Sequence, residues 1–269
     1  MIAPAAYARE VRLRRLFSRP SGLAVVVAWA HGPLLGPIAG LGSAAIDRMG
    51  REFADADGLV VSPSMLPGVR DLLAQRERPS LFMLQHWQSV SRPVTMLGYP
   101  DSGATAALLS LDEVAQLGAD GVMTYLYIGW DDPLREAREV AYVAEVSRRC
   151  RQLGLLHMVE SRAVRDEIGP DGLPRAELVR YHTRLAAELG ADVVKTVWAG
   201  PEEFPSVAEG VPVPILLAGG ARTKEFDDLL AEVPAMLEAG ARGLVWGRNI
   251  FQHPEPRIAL QRTLDAVHG

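Results

Sequence analysis

Asp192-Val193-Val194-Lys195-Thr196-Val197 reads as a short buried strand, apolar and β-branched, with one lysine in its middle. Lysine is rare in this chain: Lys195 and Lys224 are the only two, against 26 arginines. Arginine therefore serves wherever a generic cation is needed, and a lysine kept inside a strand has to be explained. Two explanations are open. The ammonium is paired with a buried carboxylate, or its stem snorkels outward from a strand end. Alternatively it is a nucleophile, because a desolvated lysine can lose its proton and attack a carbonyl, which arginine cannot.

Seven further short apolar runs flank this one. They lie at 23–29, 58–62, 80–85, 121–128, 155–160, 213–218 and 243–246. Helical patterns separate them, at 65–75, from Ser110 to about Gly118, and at 133–153, 174–189, 202–209, 223–238 and 256–267, with another ending near residue 52. Ser110 with Glu113 three residues on has the form of a capping box, and Gly190 and Gly240 stop their helices. Strands alternating with helices imply a parallel sheet. Eight repeats in 269 residues imply one closed (β/α)8 TIM barrel spanning 1–269, of α/β class. A doubly wound open sheet would want a nucleotide fingerprint after its first strand, and the prolines of His31-Gly32-Pro33-Leu34-Leu35-Gly36-Pro37 do not suit one. Residues 7–17 have helical spacing and a basic face, and are expected to cap one end of the barrel with that face in solvent. The connection 87–104 is the longest irregular stretch, long enough to cover a site.

Composition narrows the function. A net charge of −5 argues against a nucleic-acid partner. One cysteine, Cys150, leaves no disulfide framework and no multi-cysteine metal site. No apolar run reaches the roughly 20 residues of a membrane span. The basic 12–15 stretch and the apolar run after it are too interrupted by proline and glycine for a signal peptide, so a cytoplasmic location is expected.

Barrel enzymes carry their chemistry at the carboxyl ends of the strands. The polar residues there are His31, Gln85, His86, Glu160, Ser161, Arg162 and Lys195, then Gly219-Gly220 after the seventh strand and Gly247-Arg248 after the eighth. The last two sets fit a phosphate cradle: glycine lets backbone N–H groups come close, and Arg248 adds a charge-assisted bond. Tight βα turns are the other reading of each glycine pair taken alone. With phosphate held there, a neutral Lys195 amine among apolar neighbours can form a Schiff base with a phosphorylated carbonyl compound, turning that carbonyl into an electron sink. Such chemistry needs a proton shuttle. Glu160, one strand away, is either that shuttle or an ion-pair partner that only holds Lys195 or Arg162. His31 is an acid/base, a ligand for a substrate hydroxyl, or simply a satisfied loop histidine. Gln85, His86 and Arg162 are further substrate-binding candidates, and His157, inside its strand, is structural. Without metal-ligand spacing among these residues, neither a metal nor a separate cofactor is expected.

Several segments together resemble one enzyme family. They are His31-Gly32 with Gly36-Pro37-Ile38 and Gly40-Leu41, Gly190 to Thr196, Leu217-Ala218-Gly219-Gly220, and Gly247-Arg248-Asn249-Ile250-Phe251-Gln252. The resemblance is to the class I, Schiff-base aldolases that include the archaeal-type fructose-bisphosphate aldolases, 2-amino-3,7-dideoxy-heptulosonate synthases and autoinducer-2 aldolases. It implies a barrel, an imine-forming Lys195, phosphate near Gly219, Gly220, Gly247 and Arg248, and a homo-oligomer, often of ten subunits. The family usually has Asp before the first His-Gly, where this chain has Ala30. Many members carry a catalytic tyrosine in the string matching Met158-Val159-Glu160-Ser161-Arg162-Ala163, at the position of Glu160. These departures point to a specialised small phosphorylated ketone or ketose, not the glycolytic bisphosphate. Two rival functions stay open: acyl transfer or rearrangement of a phosphorylated diketone with the same lysine, and a barrel that binds a phosphometabolite without turnover.

Overall fold

The computed structural model describes residues 3–75, 77–88, 105–164, 168–169, 172, 174–220 and 225–269. The strands, in chain order, are β1 (Ala24–Trp29), β2 (Gly58–Val61), β3 (Ser80–Leu84), β4 (His86–Gln88), β5 (Thr105–Ala107), β6 (Gly121–Ile128), β7 (Leu156–Ala163), β8 (Val193–Thr196), β9 (Ile215–Ala218) and β10 (Gly243–Trp246). Eight of them close a parallel barrel in the order β1-β10-β9-β8-β7-β6-β3-β2, with helices between them, so the expected (β/α)8 architecture is observed. The barrel strands are mostly apolar on both sides because one face fills the barrel and the other packs under helices, with β7 and β8 the polar exceptions. On β1, Ala24, Val26 and Ala28 belong to the inner cluster, while Val25, Val27 and Trp29 belong to the outer one.

Three details differ from the sequence expectations. β7 runs to Ala163, three residues past Glu160, because β6 is equally long and pairs with it from Gly121↔Leu156 to Ile128↔Ala163. This extension puts Arg162 on a strand. The helical pattern at 223–238 is two helices, Phe226–Ala231 and Val233–Glu238. Pro234 lacks an N–H and crowds the preceding turn, which ends the first helix. Residues 221–224, where that pattern was expected to begin, lie outside the described residues. The 87–104 connection is entered through an antiparallel pair, His86↔Ala107 to Gln88↔Thr105. Its remaining residues, 89–104, also lie outside the described ones. Glu139, buried in the helix Pro133–Leu153, ties this pair down by accepting hydrogen bonds from Thr105 Oγ1 at 2.8 Å and Gln88 Nε2 at 3.2 Å.

The largest correction concerns the N-terminal helix, Pro4–Leu16. Its basic face is only partly in solvent: Arg14 and Arg15 are exposed, while Arg9 and Arg12 are half-buried, and all but Arg14 reach buried carboxylates. Arg9 meets Asp192 at 2.5 Å, Arg12 and Arg15 both meet Asp120, and Arg19, just beyond the helix, meets Asp57 at 2.6 Å. All three aspartates are buried or nearly so, at the amino end of the barrel. Each stands just before one strand and accepts a backbone N–H from the adjacent strand: Val25 for Asp57, Leu81 for Asp120, His157 for Asp192. The carboxylates stitch neighbouring strands together, and the arginines neutralise the carboxylates. Leu16, fully buried, adds an apolar plug. No helix among the described residues is long and apolar enough to cross a membrane.

Candidate active site

β8 carries Lys195 with its side chain inside the barrel, 6% exposed. Its Nζ donates a 2.6 Å hydrogen bond to Glu160 Oε2. The register brings this about, since Glu160 on β7 pairs directly with Lys195 on β8. The amine is thus not surrounded by apolar groups alone, as expected, but held by a carboxylate that is itself buried. The physical reason is the cost of isolating a cation in the interior, which a counter-charge one strand away offsets.

The pair is not sealed in. A cavity of about 230 Å³ opens over it, lined by His31, Tyr125, Tyr127, Glu160, Arg162, Lys195 and Arg248 on its polar side and by Ala28, Ala30, Leu34, Leu35 and Met123 on its apolar side. A wider cleft of about 680 Å³ lies beside Arg175, Arg180 and Glu203. Its charged groups are exposed ion pairs, so the smaller cavity is the one with chemistry in it.

His31 precedes the short helix Gly32–Leu35 and faces Lys195. Burial, then the charges of Lys195 and Arg248, push its pKa down to about 3. It is a neutral imidazole at pH 7, and its Nδ1 is buried without a partner among the described residues. Its place depends on Gly247, where a Cβ would come within 2.4 Å of His31 Cε1 and 2.6 Å of the Ala28 carbonyl oxygen. Arg248 opens the helix Arg248–Phe251 and donates from Nη2 to the Gly220 carbonyl at 3.1 Å, while Asn249 Nδ2 donates to the Gly219 carbonyl at 2.9 Å. These bonds lock the loops after β9 and β10 together. Among the described residues the N–H groups of Gly219 and Gly220 donate to no backbone acceptor, an arrangement that leaves them able to bind an anion. Burial lowers the Arg248 pKa, against the raising effect of the Glu160 charge.

Gln85 and His86 stand outside the cavity lining. Gln85 donates to the Leu109 carbonyl and accepts from the Tyr142 hydroxyl at 2.7 Å. His86 is fully buried, edge-on to both Tyr125 and Tyr142, and desolvation takes its pKa to about 3. The two back the wall from behind and do not line the cavity. His157 is structural as expected, bonded to Thr124 Oγ1 and Ser147 Oγ, both at 2.7 Å. Tyr125 and Tyr127 are cavity residues that the motif reading missed. The period of two along Met123-Thr124-Tyr125-Leu126-Tyr127 was the available signal, because Met123 and both tyrosines share the inner face. Among the described residues no group of His, Cys, Asp and Glu side chains is arranged to hold a metal ion.

Comparison with known proteins agrees with this geometry. An uncharacterised aldolase of Saccharolobus solfataricus is 31% identical over 262 residues, covering 96% of this chain and 94% of that protein. The 2-amino-4,5-dihydroxy-6-oxo-7-(phosphonooxy)heptanoate synthase of Streptomyces griseus is 28% identical over 272 residues, covering 100% and 93%. Among solved structures, an archaeal fructose-1,6-bisphosphate aldolase with its catalytic lysine covalently bound to the carbinolamine intermediate of the substrate superposes with a TM-score of 0.78, at 25% identity and over 97% and 100% of the two chains. The profile of the DeoC/LacD family of aldolases matches residues 54–253, from the second strand to just beyond the eighth, and the chain belongs to that family.

Proposed function

We propose that this chain is a Schiff-base aldolase or transaldolase-type lyase acting on a small phosphorylated ketone or ketose, of a specialised rather than glycolytic kind. One observation carries the reading: a buried lysine amine hydrogen-bonded to a buried carboxylate beneath a cavity that also holds two arginines. Lys195 passes a proton to Glu160 and attacks the substrate carbonyl, the carbonyl oxygen leaves as water, and the resulting iminium accepts the electron pair of the Cα–Cβ bond as that bond breaks to leave an enamine, or is re-formed as that enamine makes the bond. Glu160 then moves protons between nitrogen and substrate. Neutral His31 orients a substrate hydroxyl. Arg248 and the Gly219, Gly220 and Gly247 backbone hold the phosphate, and Arg162 binds a second polar end. The phosphorylated product in the name of the Streptomyces relative and the covalent lysine intermediate of the archaeal neighbour support this assignment. The iminium formed on Lys195 is the electron sink, so this reading calls for no metal. The active species is a homo-oligomer, which light scattering measures.

Borohydride trapping tests the reading. Incubation with dihydroxyacetone phosphate and borohydride, followed by peptide mass mapping, is expected to place the adduct on Lys195. Lys195→Arg keeps a cation for Glu160 and is expected to give none. Absence of any adduct over a panel of phosphorylated ketones and ketoses sinks the assignment.

A further inference from the structure

Tyr125 stands in the same cross-strand row as the amine and the carboxylate. The sheet register pairs Tyr125 with Glu160, and Glu160 with Lys195. Paired residues on neighbouring strands share a face, so phenol, carboxylate and amine lie side by side on the barrel wall. Tyr125 is 5% exposed and lines the cavity above that row. Its ring is fixed from two directions, stacked on Tyr127 at 5.9 Å and edge-on to His86 at 5.6 Å. Its hydroxyl nevertheless has no hydrogen-bond partner among the described residues. A buried phenol ordinarily has one. A hydroxyl left open in the cavity that holds the nucleophile, on a ring packed from two sides, lacks the partner that a substrate oxygen would supply.

We propose that Tyr125 is a catalytic acid of this site, donating its phenolic proton to the substrate oxygen while the Schiff base forms. The inference rests on the imine chemistry of Lys195 argued above. Burial, and next the Glu160 charge, raise the Tyr125 pKa well above 10, so the residue stays protonated at working pH and acts as donor. In the addition half, Lys195 gives a proton to Glu160 and its lone pair forms the C–N bond. The carbonyl π pair moves to oxygen, which takes the Tyr125 proton. Glu160 returns its proton to the phenolate and then removes the surplus proton from nitrogen, leaving a neutral carbinolamine. In the dehydration half, the nitrogen lone pair forms C=N as the C–O bond breaks. The hydroxyl leaves with the Tyr125 proton as water, and Glu160 again reprotonates the phenolate. The sum is ammonium plus ketone giving iminium plus water, with Tyr125 and Glu160 restored.

Tyr125→Phe removes one oxygen that bonds to nothing described, so the thermal midpoint is expected to stay near that of the wild type. The rate of trappable dihydroxyacetone phosphate adduct at Lys195 is expected to fall about 100-fold, the lower range for loss of a general acid. Exchange of the ketone oxygen with ¹⁸O-water, which reports the same C–O cleavage, is expected to fall in parallel. A second variant guards against a folding defect: 3-fluorotyrosine at position 125 keeps the ring and the hydroxyl but is more acidic, and is expected to displace the alkaline limb of the exchange rate to lower pH. Adduct formation in Tyr125→Phe within about threefold of wild type, or an unmoved limb with fluorotyrosine, overturns the role of Tyr125 alone. A wild-type protein that forms no adduct overturns it together with the imine chemistry.

Discussion

Glu160 does two jobs for Lys195, and they separate by substitution. As a counter-charge it makes the burial of an ammonium tolerable; as a base it frees the lone pair. Glu160→Gln keeps an oxygen for the hydrogen bond but accepts no proton. Adduct formation at pH 7 is expected to drop by about 10²- to 10³-fold, consistent with loss of general base assistance. It should recover in part toward alkaline pH, where solvent removes the ammonium proton instead. Stopped-time borohydride trapping over a pH series measures this, and an unchanged rate at pH 7 reduces Glu160 to an ion-pair partner. His157 supplies a different residue-scale test. It is fully buried, and desolvation first, then His86 and Arg151, take its pKa to about 3. The unfolded histidine titrates near 6.5, so below that pH the unfolded state binds a proton that the folded state refuses. Its contribution to stability is therefore complete above about pH 6.5 and declines as pH falls toward 3, by about 1.4 kcal/mol per pH unit. His157→Gln retains polar partners for Thr124 and Ser147 and has no proton to gain. Its urea-derived stability is expected to fall less steeply than the wild type between about pH 6 and pH 4. Equal slopes would mean that His157 charges in the folded state.

At the scale of elements, the N-terminal helix is held by charge at least as much as by apolar contact. Asp120 collects Arg15, Arg12, Arg78 and the Leu81 N–H. Asp120→Ala leaves three guanidinium groups and a backbone donor short of an acceptor, and is expected to cost about 3–5 kcal/mol in chemical denaturation, as for one partner lost from a buried pair. Arg15→Ala leaves Asp120 two other cations and is expected to cost about 1 kcal/mol. Equal losses for the two would place the clamp in Arg15 and not in the carboxylate. None of this was visible in the basic pattern of 7–17, because the acceptors lie over 100 residues away. The repeated Ala-Asp before β2, β6 and β8 was its only trace. The eight barrel strands were legible because each is a local apolar run bounded by turn residues. β4 and β5 were not, being three residues each, too short for any period to register. At the site, Lys195, Glu160, His31 and the glycine loops could be read from local composition at strand ends. Tyr125 could not be joined to them, because that requires the cross-strand register. Gln85 and His86 sat at the expected strand end but turn into the wall, since the chain enters the β4–β5 pair immediately after β3.

The whole molecule depends on closing the ring between its first and last strands, β1 and β10, and one glycine permits the closure. Gly243 pairs with Ala24 at the floor of the barrel and has a φ of +131°, a conformation disfavoured for residues with a Cβ. A Cβ there would lie 1.9 Å from the Ala24 carbonyl oxygen, which is backbone and has nowhere to move while the strands remain paired. Gly243→Ala therefore has to strain the dihedral and part the strands at once. It is expected to destabilise by about 3 kcal/mol or more, combining a strained φ with a broken ladder contact. Gly220→Ala is the matched comparison. Its φ of +68° is also left-handed, but nothing among the described residues lies within 4 Å of the added methyl, so the dihedral term dominates, about 1–2 kcal/mol. Equilibrium unfolding in urea distinguishes the two, with the denaturant slope checking that both remain cooperative. If Gly243→Ala loses no more than Gly220→Ala, the seam at the floor is looser than a closed barrel allows. A tight seam also bears on the reaction, because β10 leads directly into Gly247 and Arg248. Any variant that parts β1 from β10 is then expected to lose adduct formation at Lys195 along with its stability, although it alters no atom of the cavity.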